Sequence, residues 1–552
     1  MPEVPRGRTH IHRPAPPTRG KFHIPATGAS LEDALPRQVA TNHMLVLSGS
    51  DTFKERGERM LTRLRVQGFK NLIDVEVRLG PVTCLAGRNG VGKSNLFDAI
   101  RFLSLLADHP FVAAASMVRG GEEAAGLFTK GGDGQMRLEA DVIIPPRGYD
   151  DFNQPAEASC TFLTYSVELR LDPGVASSDP SRFRLTREEL TYVPKSFARR
   201  RLAFPHSPLW LSSVVRAPSR RTTFIRTSQT THGDSVVVLQ SDRMLDPGKG
   251  KRGGGKPTEY LATRLPRTVL SSAQNAEETR TAVLLRQEMR QWRHLQLEPS
   301  ALRRADNFMD PQRLDPIGRH VPSTLFRLAT AAAAPERVYA EVANRLAELA
   351  EGVRGVRVEK DDGRKLFRLL MSDHNGVELP ADSLSDGTLR FVALTVMEQD
   401  PEATGLLCLE EPENGIHPQR VDAMLRLLSD MAVDPSIPGN SDNPLRQVIT
   451  TTHSPVVVGW TSDADILFGH KHRSAVRGLA LEGLEFLAMS NTWRADAGTP
   501  VVSKGEVLAY LQSPLTSMAV ARVRRAKSPQ PVAAALGEQL KLRFGPIAEA
   551  GT

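Results

Sequence analysis

Cysteine is scarce in this 552-residue chain, which has three: Cys84, Cys160 and Cys408. That excludes a disulfide-built scaffold, and no spacing suited to a structural metal accompanies them. Two of the three sit in apolar strand-like runs and read as small core residues, which fits a reducing cytoplasm. Long hydrophobic runs are missing too, so no segment approaches the roughly 20 residues a membrane-spanning helix needs. Met44-Leu45-Val46-Leu47 is too short for the core of a signal peptide. Heptads and internal repeats are absent, which excludes a long coiled coil and a solenoid.

What remains is an ordinary globular composition, 40% hydrophobic and 24% charged, long enough for two or three cored domains. The net charge of +8 and a pI near 9.5 favour an anionic partner, nucleic acid first.

Five regions follow from the pattern. Residues 1–59 are rich in Pro, Arg, Thr and Gly and read as a disordered basic arm. Met60 opens the first alternating strand, so it is also a candidate start codon, which N-terminal mass spectrometry would test. Residues 60–171 form a first lobe with a hairpin (65–69 and 72–79), a buried strand (82–86), an amphipathic helix (93–107) and strands at 136–144 and 161–171. Residues 172–325 are a basic, Pro-rich insertion containing Arg199-Arg200-Arg201, Arg220-Arg221 and the Gly/Lys loop 248–256, with a helix expected over 277–295. Residues 326–500 complete the α/β unit, with a helix at 335–351 and strands at 356–359 and 366–371. Residues 501–552 are a tail with one short helix, 504–511.

Four motifs carry chemistry. Gly87-Arg88-Asn89-Gly90-Val91-Gly92-Lys93-Ser94, followed by Asn95, is a phosphate loop between a strand and a helix. Its glycines let backbone N–H groups wrap phosphate oxygens, and the helix adds its positive end. Lys93 neutralises β/γ-phosphate charge and Ser94 is a magnesium ligand. The strand 406–409 ends in Glu410-Glu411: Glu410 is placed to hold magnesium and Glu411 to polarise the attacking water. Most phosphate-loop proteins have Asp at the first of these positions, so Glu410 is a departure. Ser385-Asp386-Gly387-Thr388 opens an apolar helix, where Ser385 and the N–H groups near Gly387 can donate to a γ-phosphate; a plain helix cap is the competing reading. His453 follows the strand 447–452 and can both sense a γ-phosphate and hold Glu411. All four lie at strand C-termini or helix starts, the ligand-binding edge of an open α/β sheet.

In this order the motifs resemble ABC-type ATPase heads that work on DNA. Leu64–Asn71 and the phosphate loop resemble the N-terminal segment of SMC-like and RecF-like ATPases. The segments 384–390, Glu410–Pro418 and Thr450–Pro455 resemble the bacterial "predicted ATPases" related to the OLD family, many of them in phage-defence operons. The resemblance implies a P-loop NTPase α/β head in two lobes with a large insertion. It implies ATP and Mg2+ as cofactors, ATP hydrolysis, and a homodimer in which Ser385 and Gly387 act on the partner's nucleotide. Asn414 and His417 would lie in the loop crossing that interface. Gln135 is a candidate for the family's glutamine loop. The Toprim nuclease domain of OLD proteins has no counterpart, since Asp463-Ala464-Asp465 reads as a turn, so nuclease activity is expected of a separate effector subunit.

Two rival readings stand beside the DNA-linked switch. One is a cytosolic ATPase subunit docking a separate membrane protein. The other is a nuclease using Asp306, Asp310 and Asp315, which no His or Cys joins in the sequence as a further ligand.

Overall fold

The computed structural model describes residues 59–172, 183–217, 223–230, 234–242, 257–349, 352–440, 443, 446–476 and 479–513. Residues 1–58 of the expected arm 1–59, Arg220-Arg221, the Gly/Lys loop and the tail beyond 513 lie outside the described residues.

Strands and helices are numbered along the chain. One sheet is antiparallel and eight-stranded, in the order β11-β10-β9-β8-β7-β4-β1-β2. It comprises β1 (Met60–Phe69), β2 (Leu72–Arg78), β4 (Gln135–Ile143), β7 (Phe162–Leu171), β8 (Phe183–Tyr192), β9 (Ile225–Gln229), β10 (Ser235–Leu239) and β11 (Thr258–Leu261). Alternation builds it: Met136, Leu138 and Ala140 of β4 are buried on one face. The expected boundary at 171/172 falls between β7 and β8, which pair along their lengths, so the first half of the insertion extends this sheet.

The second sheet has seven strands in the order β12-β17-β18-β3-β19-β20-β21. They are β3 (Val82–Ala86), β12 (Arg293–Leu295), β17 (Gly405–Glu410), β18 (Arg446–Thr452), β19 (Ile466–Val476), β20 (Leu479–Met489) and β21 (Val501–Val502). The run from β12 to β19 is parallel. β18 is buried along its whole length and β17 as far as Leu409, as parallel strands covered on both faces must be. A small sheet joins β13 (Asp306–Asn307), β14 (Gly355–Asp361), β15 (Leu366–Ser372) and β16 (Glu378–Pro380), and β5 (Arg147–Tyr149) pairs β6 (Pro155–Glu157).

The helices are α1 (Lys93–Leu106), α2 (Phe111–Ser116), α3 (Lys195–Leu202), α4 (Pro208–Val214), α5 (Ala276–Arg290), α6 (Pro299–Leu302), α7 (Val321–Ala331), α8 (Pro335–Leu349), α9 (Asp386–Gln399), α10 (Val421–Asp430), α11 (Pro455–Trp460), α12 (Trp493–Asp496) and α13 (Lys504–Gln512). The expected apolar face of α1 is buried: Phe97, Ile100, Leu103 and Leu106 share one core with Leu85, Leu406 and Ile449 of the parallel sheet and Leu64 and Leu138 of the antiparallel one. That core fixes the phosphate-loop helix against both sheets.

The expected helix 277–295 needs correction. α5 stops at Arg290, and Arg293–Leu295 pairs in parallel with Leu407–Leu409. All three cysteines are free and buried; burial pushes the Cys84 and Cys160 thiols up to about 12 and Cys408 higher still, so they behave as core residues. Among the described residues no helix is long and apolar enough to cross a membrane.

Candidate functional site

Three neighbouring parallel strands end together. Thr452 pairs with Ala86, and Glu410 with Thr451. The turns after β3, β17 and β18 therefore emerge side by side, and these turns carry Gly87–Asn95, Glu410-Glu411 and His453.

The phosphate loop is held from below by the β1–β2 turn. Asn71 Nδ2 donates to the Val91 carbonyl at 2.9 Å, and Asn95 Nδ2 donates to Asn71 Oδ1 at 2.7 Å. Gly92 has φ 106°, and a Cβ there would fall 2.3 Å from the Asn71 side chain, so the loop closes on Asn71 only with glycine at 92. Gly87 N–H donates to the Thr452 carbonyl at 3.1 Å, tying the loop to β18. Lys93 Nζ lies along the loop, donating to the carbonyls of Gly87 (2.5 Å) and Arg88 (3.0 Å). Burial lowers its pKa, opposed by the carboxylates of Glu411, Glu413 and Glu410.

Asn89 and Gly90 are exposed at the loop tip. The Arg88 side chain turns away: its guanidinium stacks on the Tyr510 ring at 4.3 Å and donates to the carbonyls of Tyr510 and Ser513, capping the end of α13. That leaves the backbone N–H of Arg88 to the phosphate-binding turn.

Glu410 ends β17 half-buried. His294 Nε2, from β12, lies 3.3 Å from its Oε1, while the His294 ring meets Phe97 of α1 edge-on at 5.3 Å. His294 is foremost in holding the Glu410 carboxyl below the usual range against burial, and Arg119 and the Ser94 hydroxyl act in the same direction. Both His294 Nε2 and Glu410 Oε1 are buried without a well-directed hydrogen bond. A serine hydroxyl and an unsatisfied carboxylate oxygen meeting at the loop are the donors a hard divalent cation takes, so these residues fit magnesium. His294 went unnoticed in the sequence because a three-residue strand leaves no periodic signal.

Glu411 takes φ 45°, and its N–H donates to the Thr451 carbonyl at 3.0 Å. Its carboxylate is gripped from two sides, Oε1 lying 2.8 Å from His453 Nδ1 and Oε2 accepting from Asn414 Nδ2 at 2.9 Å. Glu413 is buried behind it on Thr452 Oγ1. Burial, reinforced by Glu411, raises the Glu413 pKa.

Ser385 caps α9, its hydroxyl accepting from Thr388 N–H at 3.1 Å. Asp386 is paired with Arg303 at 2.6 Å. Among the described residues no hydrogen bond links this turn to loop 87–95. Instead it abuts the acidic loop: a Cβ on Gly387 would stand 2.4 Å from the Gly415 carbonyl oxygen, and Arg390 donates to the Asn414 carbonyl. Ser385, Asp386, Asn414 and His417 are all exposed.

Gln135 opens β4 with its side chain exposed and makes no hydrogen bond to the phosphate loop, among the described residues. His320 corrects the reading of the insertion acids: it joins Asp306 and Asp310, with ligand atoms within 4.8 Å of one another. Asp306 is already committed there, accepting from Ser323 N–H (3.0 Å) and Oγ (2.9 Å) at the start of α7. Asp315 instead closes the Arg319 turn.

A family model described as "AAA domain, putative AbiEii toxin, Type IV TA system" matches residues 82–225 and 264–459. Curated relatives include the DNA replication and repair protein RecF of Paenarthrobacter aurescens (strain TC1), 32% identical over 152 residues, which cover 25% of this chain and 37% of that protein. The RecF of Frankia alni (strain DSM 45986 / CECT 9034 / ACN14a) is 36% identical over 179 residues, 30% of this chain and 44% of that one. The chain thus spans less than half the length of these relatives. Solved structures include an SMC head bound to the C-winged helix domain of ScpA, with TM-score 0.37 and 13% identity, covering 78% of this chain and 98% of that one. The SMC head domain from Thermotoga maritima has TM-score 0.32 and 13% identity, covering 78% and 99%.

Proposed function

The chain belongs to this AAA-domain family, and on that premise we propose that it is an ATP-hydrolysing dimeric switch of the ABC type that acts on or senses DNA, the ATPase subunit of a phage-defence or DNA-maintenance system. The family description supports a toxin–antitoxin setting, and the name of the RecF relatives supports DNA. The observation that carries the ATPase reading is the clamp on Glu411, between His453 and Asn414, with His453 following β18, the strand that pairs directly with the phosphate-loop strand β3.

In this reading the backbone N–H groups of 88–94 and Lys93 bind the triphosphate. Ser94 and Glu410 would hold Mg2+, which when bound neutralises charge on the β- and γ-phosphate oxygens. Glu411 accepts the proton of the attacking water as its oxygen bonds to the γ-phosphorus; the β–γ bridging bond breaks and ADP leaves. His453 keeps the Glu411 carboxylate aimed and contacts the γ-phosphate. Ser385 and the Gly387 N–H serve the partner's nucleotide, because within one chain their turn faces the acidic loop. The shared exposure of Ser385, Asn414 and His417 suits a face that closes on a second copy.

Glu411→Gln keeps the size of the side chain and removes the base. It is expected to bind ATP, lose hydrolysis and accumulate as a dimer in light scattering with ATP and Mg2+. A variant that stays monomeric while saturated with ATP refutes the dimeric switch.

A further inference from the structure

A groove of about 1040 Å³ is lined by residues of β2, β7 and β8 of the antiparallel sheet and of α3 and α12. Its cations are Arg78, Arg199, Arg200 and Arg201, and its aromatic rings are Tyr192, Phe197 and Trp493. Arg201 anchors one wall: its guanidinium sits on the buried Asp141 (Nη2 to Oδ1, 3.2 Å), and its carbonyl accepts from Arg78 Nη1 at 3.2 Å. Arg199 and Arg200 are exposed and make no ion pair with any described carboxylate. Phe197, on the same helix, is 58% exposed. Acids are few here: Asp496 lines the groove, and Glu76 lies 3.6 Å from Arg78.

Cations in the last turn of α3 suit the helix dipole, but that does not account for an exposed phenylalanine and a tryptophan in the same groove. Unpaired guanidinium groups beside an exposed ring and a half-buried one are what a single nucleic-acid strand requires: phosphates for the arginines and unstacked bases for the rings. A duplex keeps its bases stacked and gains nothing from the rings. The groove is also rigidly floored. Trp493 lies on Arg494 at 4.1 Å, and Arg494, fully buried, donates to the Arg78 carbonyl (2.9 Å) and to Thr83 Oγ1 (2.8 Å) on β3, the strand that leads into the phosphate loop.

Resting on the DNA reading above, we infer that this groove, with Arg199, Arg200, Phe197 and Trp493, binds single-stranded nucleic acid through phosphate pairing and base stacking. The test is fluorescence anisotropy of a labelled oligothymidylate with the full chain across a salt series. Arg199→Gln/Arg200→Gln is expected to weaken binding about tenfold or more and to lower the slope of log affinity against log salt by about 1.4. Phe197→Ala is expected to weaken binding about fivefold or more with the slope unchanged. Both changes are at exposed positions, and thermal melting checks that the fold is kept. If the wild type binds the strand and all variants match it, the groove assignment fails while the DNA reading stands. If the wild type binds neither strand nor duplex, both fail. A duplex of equal length or a polyglutamate that competes as well as the strand overturns the assignment to single strands.

Discussion

Glu411 pairs an uncommon backbone conformation with a doubly held carboxylate. A positive φ of 45° in a side chain of this size is disfavoured, and it survives because three hydrogen bonds, from Asn414, to Thr451 and with His453, determine the turn. Glu410, one residue earlier, is oriented by a different partner. His294 reaches it from the adjacent strand, where a shorter aspartate in place of Glu410 would stop one methylene farther back. His294→Ala removes that support while leaving Ser94 and Glu410 in place. The expected outcome is a tenfold or larger loss in kcat or in metal affinity, read as a rightward shift of the Mg2+ titration of ATPase activity and of Mn2+ binding followed by its paramagnetic resonance. Unchanged titrations would show that the imidazole merely fills space. The motif residues were legible in the sequence because glycine, lysine and paired acids at fixed spacing have few other uses. His294 was not, because its role depends on a pairing with Leu407–Leu409 far along the chain.

Elements carry the next layer. α9 starts at a serine cap, and the cap reading and the γ-phosphate reading of Ser385 are compatible, since a hydroxyl capping a helix still points out of its N-terminus. What locates this start is contact with the acidic loop at Gly387. Gly387→Ala must push a methyl into the Gly415 carbonyl oxygen, 2.4 Å away. The expected cost is about 1–3 kcal/mol in denaturant unfolding, together with loss of ATP-dependent dimerisation, because Asn414 and the α9 N-terminus shift together. Full stability and normal dimerisation would mean that the two segments move independently. The boundaries of β3, α1 and α13 were read to within a residue or so, since apolar period and caps coincide there. The chain at 291–295 was misread as helix because the polar–apolar pattern of α5 runs on past Arg290, and only the empty edge beside β17 makes the last three residues a strand.

The whole molecule is the scale at which the dimer is tested. A mixture of Lys93→Ala and Ser385→Ala chains separates a shared site from a private one. Each variant alone is expected to be inactive, whereas mixed dimers contain one pocket with both an intact Lys93 and an intact Ser385, so ATPase activity should partly return. No recovery, with mixed dimers shown to form, would mean that Ser385 serves the pocket of its own chain, and an active Ser385→Ala variant would place the serine turn outside the reaction. The sequence by itself determined the phosphate-loop motif, the strand that leads into it and the net positive charge, because these are written in short contiguous stretches or in composition, where the physics of close backbone turns, burial and charge leaves residue types little freedom to change. The tertiary structure alone decided that the insertion's first strands extend the antiparallel sheet, that His294 stands against Glu410, that Arg88 holds α13, and that Arg199, Phe197 and Trp493 line one groove. Those neighbours are brought together across long stretches of chain by sheet pairing and a shared core, and no local pattern encodes which distant residue will fill the space beside a given side chain.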